Sequence, residues 1–228
     1  MEFSLLGAAL VAVAAAGAVL WWEWRRDRDA AIRHLGDLLM TSAIVGVAVG
    51  RIASMLAGGT NPPTHPGDIL IVRGGVATGP AAAAALIAAG FGARKDLWRI
   101  LDAAAPAALA GLAGWHAGCV LTASCAGTPT GLPWGISVGG GIARHPVEIY
   151  AALLLAAGVA ALLYARRYGP ARGVLVGAAL AWAGIVRLAT EPLRLGLGTG
   201  PGPWYAAGIA AGLGIVLGSI VRSRAAQP

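Results

Sequence analysis

The chain has 228 residues, 57% of them hydrophobic and only 12% charged, with a mean hydropathy of +0.72 and 35 glycines. No ordinary soluble domain of this length carries that balance, so the sequence reads as an integral membrane protein. The net charge of +7 and the pI of about 10.4 come from arginine clusters beside apolar stretches, where they meet anionic lipid, so the charge gives no ground for a nucleic-acid partner.

A membrane-spanning helix needs about 20 mostly apolar residues, and seven stretches qualify, at about 4–22, 36–57, 70–92, 99–120, 147–165, 173–190 and 203–221. The expected fold is therefore all-α, a single polytopic domain over residues 1–228; no internal repeat, Walker-type loop or low-complexity linker divides it. The first stretch has Met1-Glu2 ahead of it and arginines behind it, the reverse of a signal peptide's charge order, which predicts a retained helix. The spacings Gly46/Gly50 and Gly208/Gly212 predict close helix packing. The third stretch carries Arg73, Gly74-Gly75 and Gly79-Pro80, which predicts an unwound or re-entrant beginning, and the fourth contains Pro106.

Basic residues set the orientation. Arg25, Arg26, Arg28 and Arg33 follow the first stretch; Arg94, Lys95 and Arg99 the third; Arg166, Arg167 and Arg172 the fifth; Arg222 and Arg224 the last. With seven spans, these 12 of the 17 basic residues fall on one side, which the positive-inside rule makes cytoplasmic. The N-terminus is then outside and the C-terminus inside. The outer segments, about 58–69, 121–146 and 191–202, are rich in Gly, Pro and Thr, the composition of shaped loops.

The remaining five arginines, Arg51, Arg73, Arg144, Arg187 and Arg194, lie within spans or on the side poor in basic residues. Each costs roughly 2.5–3.5 kcal/mol near the bilayer centre, so the group points to an anionic ligand, a phosphate above all. Arg187 and Glu191 are four apart and Arg194 follows three later, so one carboxylate between two guanidiniums would steady both forks. The same spacing also suits an ion pair that only fixes helix packing. Arg144-His145-Pro146 precedes Glu148 and Tyr150 at the start of the fifth span, where a purely interfacial anchor is the other reading.

These segments together resemble the bacterial prolipoprotein diacylglyceryl transferases. The resemblance rests on the order Gly50-Arg51, Arg73-Gly74-Gly75, Leu101-Asp102 through Pro106, Gly127 through Trp134 (with Pro-Thr-x-Leu-Pro-Trp), Arg144-His145-Pro146 through Tyr150, and Arg187 through Arg194. It covers the chain from about residue 36 onward. It implies a seven-span enzyme of the bacterial inner membrane, open to the outer leaflet. Such an enzyme moves diacylglyceryl from phosphatidylglycerol to the lipobox cysteine of a preprolipoprotein and releases glycerol phosphate. On this resemblance Arg187 and Glu191 match functional positions, as do Arg144, Tyr150 and Gly127; the last three, with Arg51, Arg73 and Arg194 from the arginine reading above, make up the expected headgroup site. The family signature Gly-Arg-x-Gly-Asn-Phe-x-Asn-Gly-Glu is rewritten: His116 stands for the Arg, Cys119 for the first Asn, Thr122 for the second and Ser124 for the Glu, and Gly79 replaces a His or Tyr.

His116 and Cys119 are three apart on one helical face, and Cys125, the only other cysteine, lies six residues on. An imidazole beside a thiol makes a nucleophile or a soft-metal ligand, and two cysteines in an oxidising compartment can exchange with a disulfide. Small apolar fillers and a packed histidine are the bland alternative. Three obvious ligands are too few for a closed zinc site, nothing places His65 as a fourth, and no metal or cofactor is assigned. Cys119 is expected to alkylate faster than Cys125.

Two functions of different class follow. In the first, His116, Cys119, Cys125, Arg187 and Glu191 carry the transfer of a diacylglyceryl group from an anionic phospholipid to a thiol acceptor. In the second, His116/Cys119/Cys125 serve thiol-disulfide exchange or the handling of a soft metal or small thiol. A lipid-binding relative without activity is the third.

Overall fold

In hydrocarbon every backbone N–H and C=O must find its partner within the chain, so long apolar stretches can only become helices. The computed structural model describes residues 2–26, 30–60, 62, 75–122, 124–137, 141–195 and 201–225. Its helices are α1 (Glu2–Arg26), α2 (Ala30–Ala57), α3 (Thr78–Ala93), α4 (Leu97–Ala117), the short α5 (Cys119–Thr122), α6 (Val147–Arg166), α7 (Val174–Thr190) and α8 (Gly202–Ala225). A 3₁₀ turn, Glu191–Leu193, follows α7 directly.

Among the described residues six segments are long and apolar enough to cross a membrane: Gly7–Arg26, His34–Ala57, Leu97–Leu121, Val147–Arg166, Val174–Leu193 and Gly202–Ala225. This is a multi-pass membrane protein, and the expected spans match these helices within a few residues. The expected third span is shorter: α3 has 16 residues and begins just before Gly79-Pro80. Arg73, Gly74 and the rest of residues 63–74 lie outside the described residues. Large apolar side chains such as Val13, Leu86, Leu153 and Trp204 are exposed on the helix surfaces, as lipid-facing positions are.

The chain forms two compact units, Arg28–Ile100 and the combination of Met1–Asp27 with Leu101–Pro228. In the first, α2 packs on α3 through the small residues flagged by their spacing. A Cβ on Gly46 would stand 2.8 Å from the Ala81 carbonyl oxygen, and one on Gly50 2.6 Å from the Ala81 Cβ. The Gly50 carbonyl accepts the Ala77 amide at 3.0 Å. Beside it Arg51, buried, donates from Nη1 to the carbonyl of Gly75 at 3.0 Å.

In the second unit, α1 lies against α4 over Gly111 and Gly114 and against Gly118 just beyond it: a Cβ on Gly114 would come within 2.8 Å of the Val11 carbonyl. The core joins α4, α6 and α7 through Leu109, Leu155, Val159, Leu162, Leu175 and Val186. Helices α7 and α8 touch at Gly177, Gly184 and Gly212; Gly208 faces open space, so only Gly212 of the expected Gly208/Gly212 pair makes a close approach.

Between α5 and α6 the chain leaves helical geometry, and its backbone groups pair in a small antiparallel ribbon of β1 (Ala126–Pro129) and β2 (Arg144–Pro146). Thr130 N–H bonds Ala143 O at 2.8 Å, and Ile136 exchanges two bonds with Arg144. This ribbon is the one departure from the all-α expectation among the described residues, and it sits in a segment expected as loop.

Asp102, marked in the sequence only by the resemblance, has a structural role. Helix α7 starts after Gly173, whose φ of +97° suits glycine and which has no side chain to cap the helix. The Asp102 carboxylate supplies the cap from α4, accepting the Gly173 amide at 2.6 Å and the Val176 amide at 2.9 Å. Asp102→Ala is expected to lower stability by about 2 kcal/mol by orphaning both donors, with Asp102→Asn costing less; thermal unfolding in detergent measures it.

Candidate functional site

The site gathers where α6 begins, α7 ends and the ribbon returns. Pro146 ends β2 and caps α6, and Glu148 falls in the first helical turn, where the N-terminal amides favour a carboxylate. Glu148 has charged partners on both oxygens. Arg194, from the turn after α7, binds it with a two-pronged fork: Nη1 to Oε1 at 2.5 Å and Nη2 to Oε2 at 3.2 Å. His116, near the end of α4, places Nδ1 2.5 Å from Oε2. The His116 side chain is 4% exposed, and its Nε2 is buried with no hydrogen-bond partner among the described residues.

A cleft of about 370 Å³ opens over this cluster, with Ser124, Gly127, Glu148, Arg187, Glu191, Arg194 and Tyr205 among its walls. Both Nη nitrogens of Arg194 are committed to Glu148, while its Nε stands 3.7 Å from Glu191 Oε2, beyond hydrogen-bond reach. Arg187 is placed differently. Its Nη2 donates to the Tyr205 hydroxyl at 2.7 Å and its Cζ lies 5.2 Å from that ring's centre, and it has no carboxylate partner among the described residues. The expected Glu191 bridge between Arg187 and Arg194 is therefore corrected: Glu191 reaches Arg194 alone. Glu191 keeps α-helical geometry, its amide bonding the Arg187 carbonyl, and the 3₁₀ turn that begins there brings Arg194 round to its carboxylate while Arg187 Nη2 turns to Tyr205.

Gly127 is required by packing. A Cβ there would run into the Leu193 carbonyl and the Val147 side chain, which carry two of the site's strands of chain. Its carbonyl accepts Arg144 Nη1 at 3.1 Å, so Arg144 braces the cleft wall without lining it. Tyr150 accepts Trp134 Nε1 at 2.7 Å and meets the His145 ring edge-on; it too lies outside the cleft lining. Arg51 belongs to the unit Arg28–Ile100, and Arg73 is outside the described residues. Sequence reasoning left out Glu148 as a site residue, although an acidic side chain inside an apolar span is itself a signal. Tyr205 gave no such signal, whereas the resemblance marks Ser124 as standing for a signature Glu.

Cys119 and Cys125 are bonded to each other, and both are buried. Neither carries a thiol in this state, so the expectation that Cys119 alkylates ahead of Cys125 is corrected: the two residues, Cα atoms 5.0 Å apart, close the loop that turns α5 toward β1. The bond ties down the chain on either side of Ser124, a cleft residue. Among the described residues no group of three or more His, Cys, Asp or Glu is placed to hold a metal ion.

Comparison with known proteins gives one family. The family described as prolipoprotein diacylglyceryl transferase matches residues 5–222. A phosphatidylglycerol–prolipoprotein diacylglyceryl transferase of Solidesulfovibrio magneticus is 31% identical over 175 residues, 70% of this chain and 64% of that protein. Its counterpart in Geobacter sulfurreducens is 37% identical over 111 residues, 45% of this chain and 42% of that protein. The chain thus spans less than two thirds of the length of these relatives.

Unreduced, unfolded protein is expected to take up no maleimide and, after reduction, two labels, read by intact mass. Cys119→Ser with Cys125→Ser is expected to cost about 2 kcal/mol of stability by freeing this short loop.

Proposed function

The chain belongs to the prolipoprotein diacylglyceryl transferase family, and we propose that it transfers the diacylglyceryl group of an anionic glycerophospholipid, phosphatidylglycerol, to a thiol on a lipobox peptide. The observation that carries this reading is Arg187: a guanidinium in the wall of the cleft, steadied by a tyrosine and with no carboxylate partner among the described residues. Its remaining N–H donors suit a phosphodiester oxygen.

In the proposed step the acceptor thiol gives its proton to Glu148, the carboxylate in the cleft wall that His116 and Arg194 hold in place. His116, buried behind Glu148 and outside the cleft lining, meets it through Nδ1 and orients it. The sulfur attacks the glyceryl carbon that bears the phosphate ester. A C–S bond forms, the C–O bond breaks, and the bonding pair leaves on the oxygen of glycerol phosphate. The negative charge that develops on the leaving phosphate is met by Arg187, and a preorganised donor of this kind is worth about 10²–10³ in rate. Arg194 holds Glu148 in place, Glu191 steadies Arg194, and Arg144 and Gly127 shape the wall. The cluster of basic residues at the opposite helix ends supports an outward-facing site in a bacterial inner membrane.

Thiol-disulfide exchange draws less support. Attack on a disulfide needs access along the S–S axis, and Cys119 and Cys125 are 4% and 7% exposed.

The test is transfer in phosphatidylglycerol vesicles with a lipobox peptide, read by mass spectrometry. The wild-type chain is expected to add diacylglyceryl to the peptide cysteine, Arg187→Ala to lower the rate roughly 10²–10³-fold, and Arg144→Ala to lower it less. A wild-type chain that forms no adduct overturns the proposal.

A further inference from the structure

The far end of α6 carries a second charged cleft that the transfer chemistry does not use. It lies about 27 Å along the helix from Glu148, at the ends of two membrane-spanning segments, Gly7–Arg26 and Val147–Arg166. Its volume is about 270 Å³, and Trp22, Glu23, Arg26, Leu163, Arg166 and Arg167 line it.

Its construction is specific. Glu23 is 4% exposed and accepts Arg166 Nη1 at 2.5 Å, which joins α1 to α6 at the floor of the cleft. The other two guanidiniums are held by their faces: Arg26 over the Trp22 ring at 4.5 Å and Arg167 over Tyr164 at 6.0 Å. Stacking occupies the face of a guanidinium and leaves its in-plane N–H donors pointing outward. Three arginines against one glutamate leave the cleft with an excess of two positive charges. Trp21, Trp24 and Tyr168 are exposed around it, as in an aromatic belt at headgroup depth.

We infer that this cleft is a binding site for the phosphodiester headgroup of an anionic phospholipid, taken from the leaflet at the Arg26 end of the protein. Arg26 and Arg167 donate to the phosphate oxygens, Arg166 and Glu23 hold the floor, and Trp22 and Leu163 face the glycerol and upper acyl carbons. Such a lipid clamps α1 to α6. A solvated basic face would need neither the buried carboxylate nor the stacked rings.

Native mass spectrometry of the full chain, titrated with dioctanoylphosphatidylglycerol or with dioctanoylphosphatidylcholine, tests it. Arg26→Gln with Arg167→Gln is expected to bind one phosphatidylglycerol fewer than wild type, or to bind it roughly tenfold more weakly, with phosphatidylcholine unchanged. The same difference is expected in an Arg187→Gln background, so that loss here is counted apart from loss at the transfer cleft. Transfer activity is expected to persist in the double variant. Equal phosphatidylglycerol occupancy in wild type and double variant overturns the inference. Release of this lipid by millimolar inorganic phosphate overturns it as well, since the site would then take free phosphate. Should the double variant fail to fold, Arg167→Gln alone, which keeps the Arg26–Trp22 stack, gives the same comparison.

Discussion

A carboxylate carried into the first turn of a membrane helix has to be compensated where it stands, and Glu148 is compensated by two different chains of contact. Arg194 grips both of its oxygens, and His116 meets one of them. The three residues come from three separate elements, the end of α4, the start of α6 and the turn beyond α7. Their pairing therefore fixes how those elements converge. Removing one partner would leave a partly buried charge short of a partner, which is destabilising.

That interaction decides what the other side chains are free to do. Arg194 is spent on Glu148 and Glu191, so it is poorly placed to serve as the main anion-binding cation. Arg187, turned onto Tyr205, keeps donors available at the cleft wall. His116 is held at Nδ1, which leaves Nε2 as its one uncommitted nitrogen. Where the resemblance expects a signature arginine, this chain has a histidine paired to Glu148. The disulfide then closes the same stretch of chain that the altered signature occupies.

Much of this was legible in the sequence, for reasons that differ from element to element. Long apolar stretches have one structural outcome in lipid, so the helices were plain, and the resemblance named the family that the matched residues 5–222 show. Gly46 and Gly50 announced their contact because a four-residue spacing of glycines lets a neighbouring backbone in. The Arg187/Glu191 spacing misled although the helix holds to Glu191, because Tyr205 on the neighbouring helix takes the Arg187 guanidinium instead. Tyr205 sits on α8, 18 residues beyond Arg187, and no local pattern links them. Two cysteines six apart left bonding and free thiols equally open, since their separation depends on how the chain leaves α4.

The central claim is that Glu148 binds up Arg194 so that Arg187 alone meets the anion. It is tested most directly by measuring short-chain phosphatidylglycerol binding to Arg194→Gln with and without Glu148→Gln. The account predicts that Arg194→Gln weakens binding, because Glu148 is left as an uncompensated negative charge beside the phosphate, and that adding Glu148→Gln restores it. In an Arg187→Gln background Glu148→Gln restores nothing. A double variant Glu148→Gln/Arg194→Gln that binds as weakly as Arg194→Gln alone would contradict the account and put Arg194 itself on the phosphate.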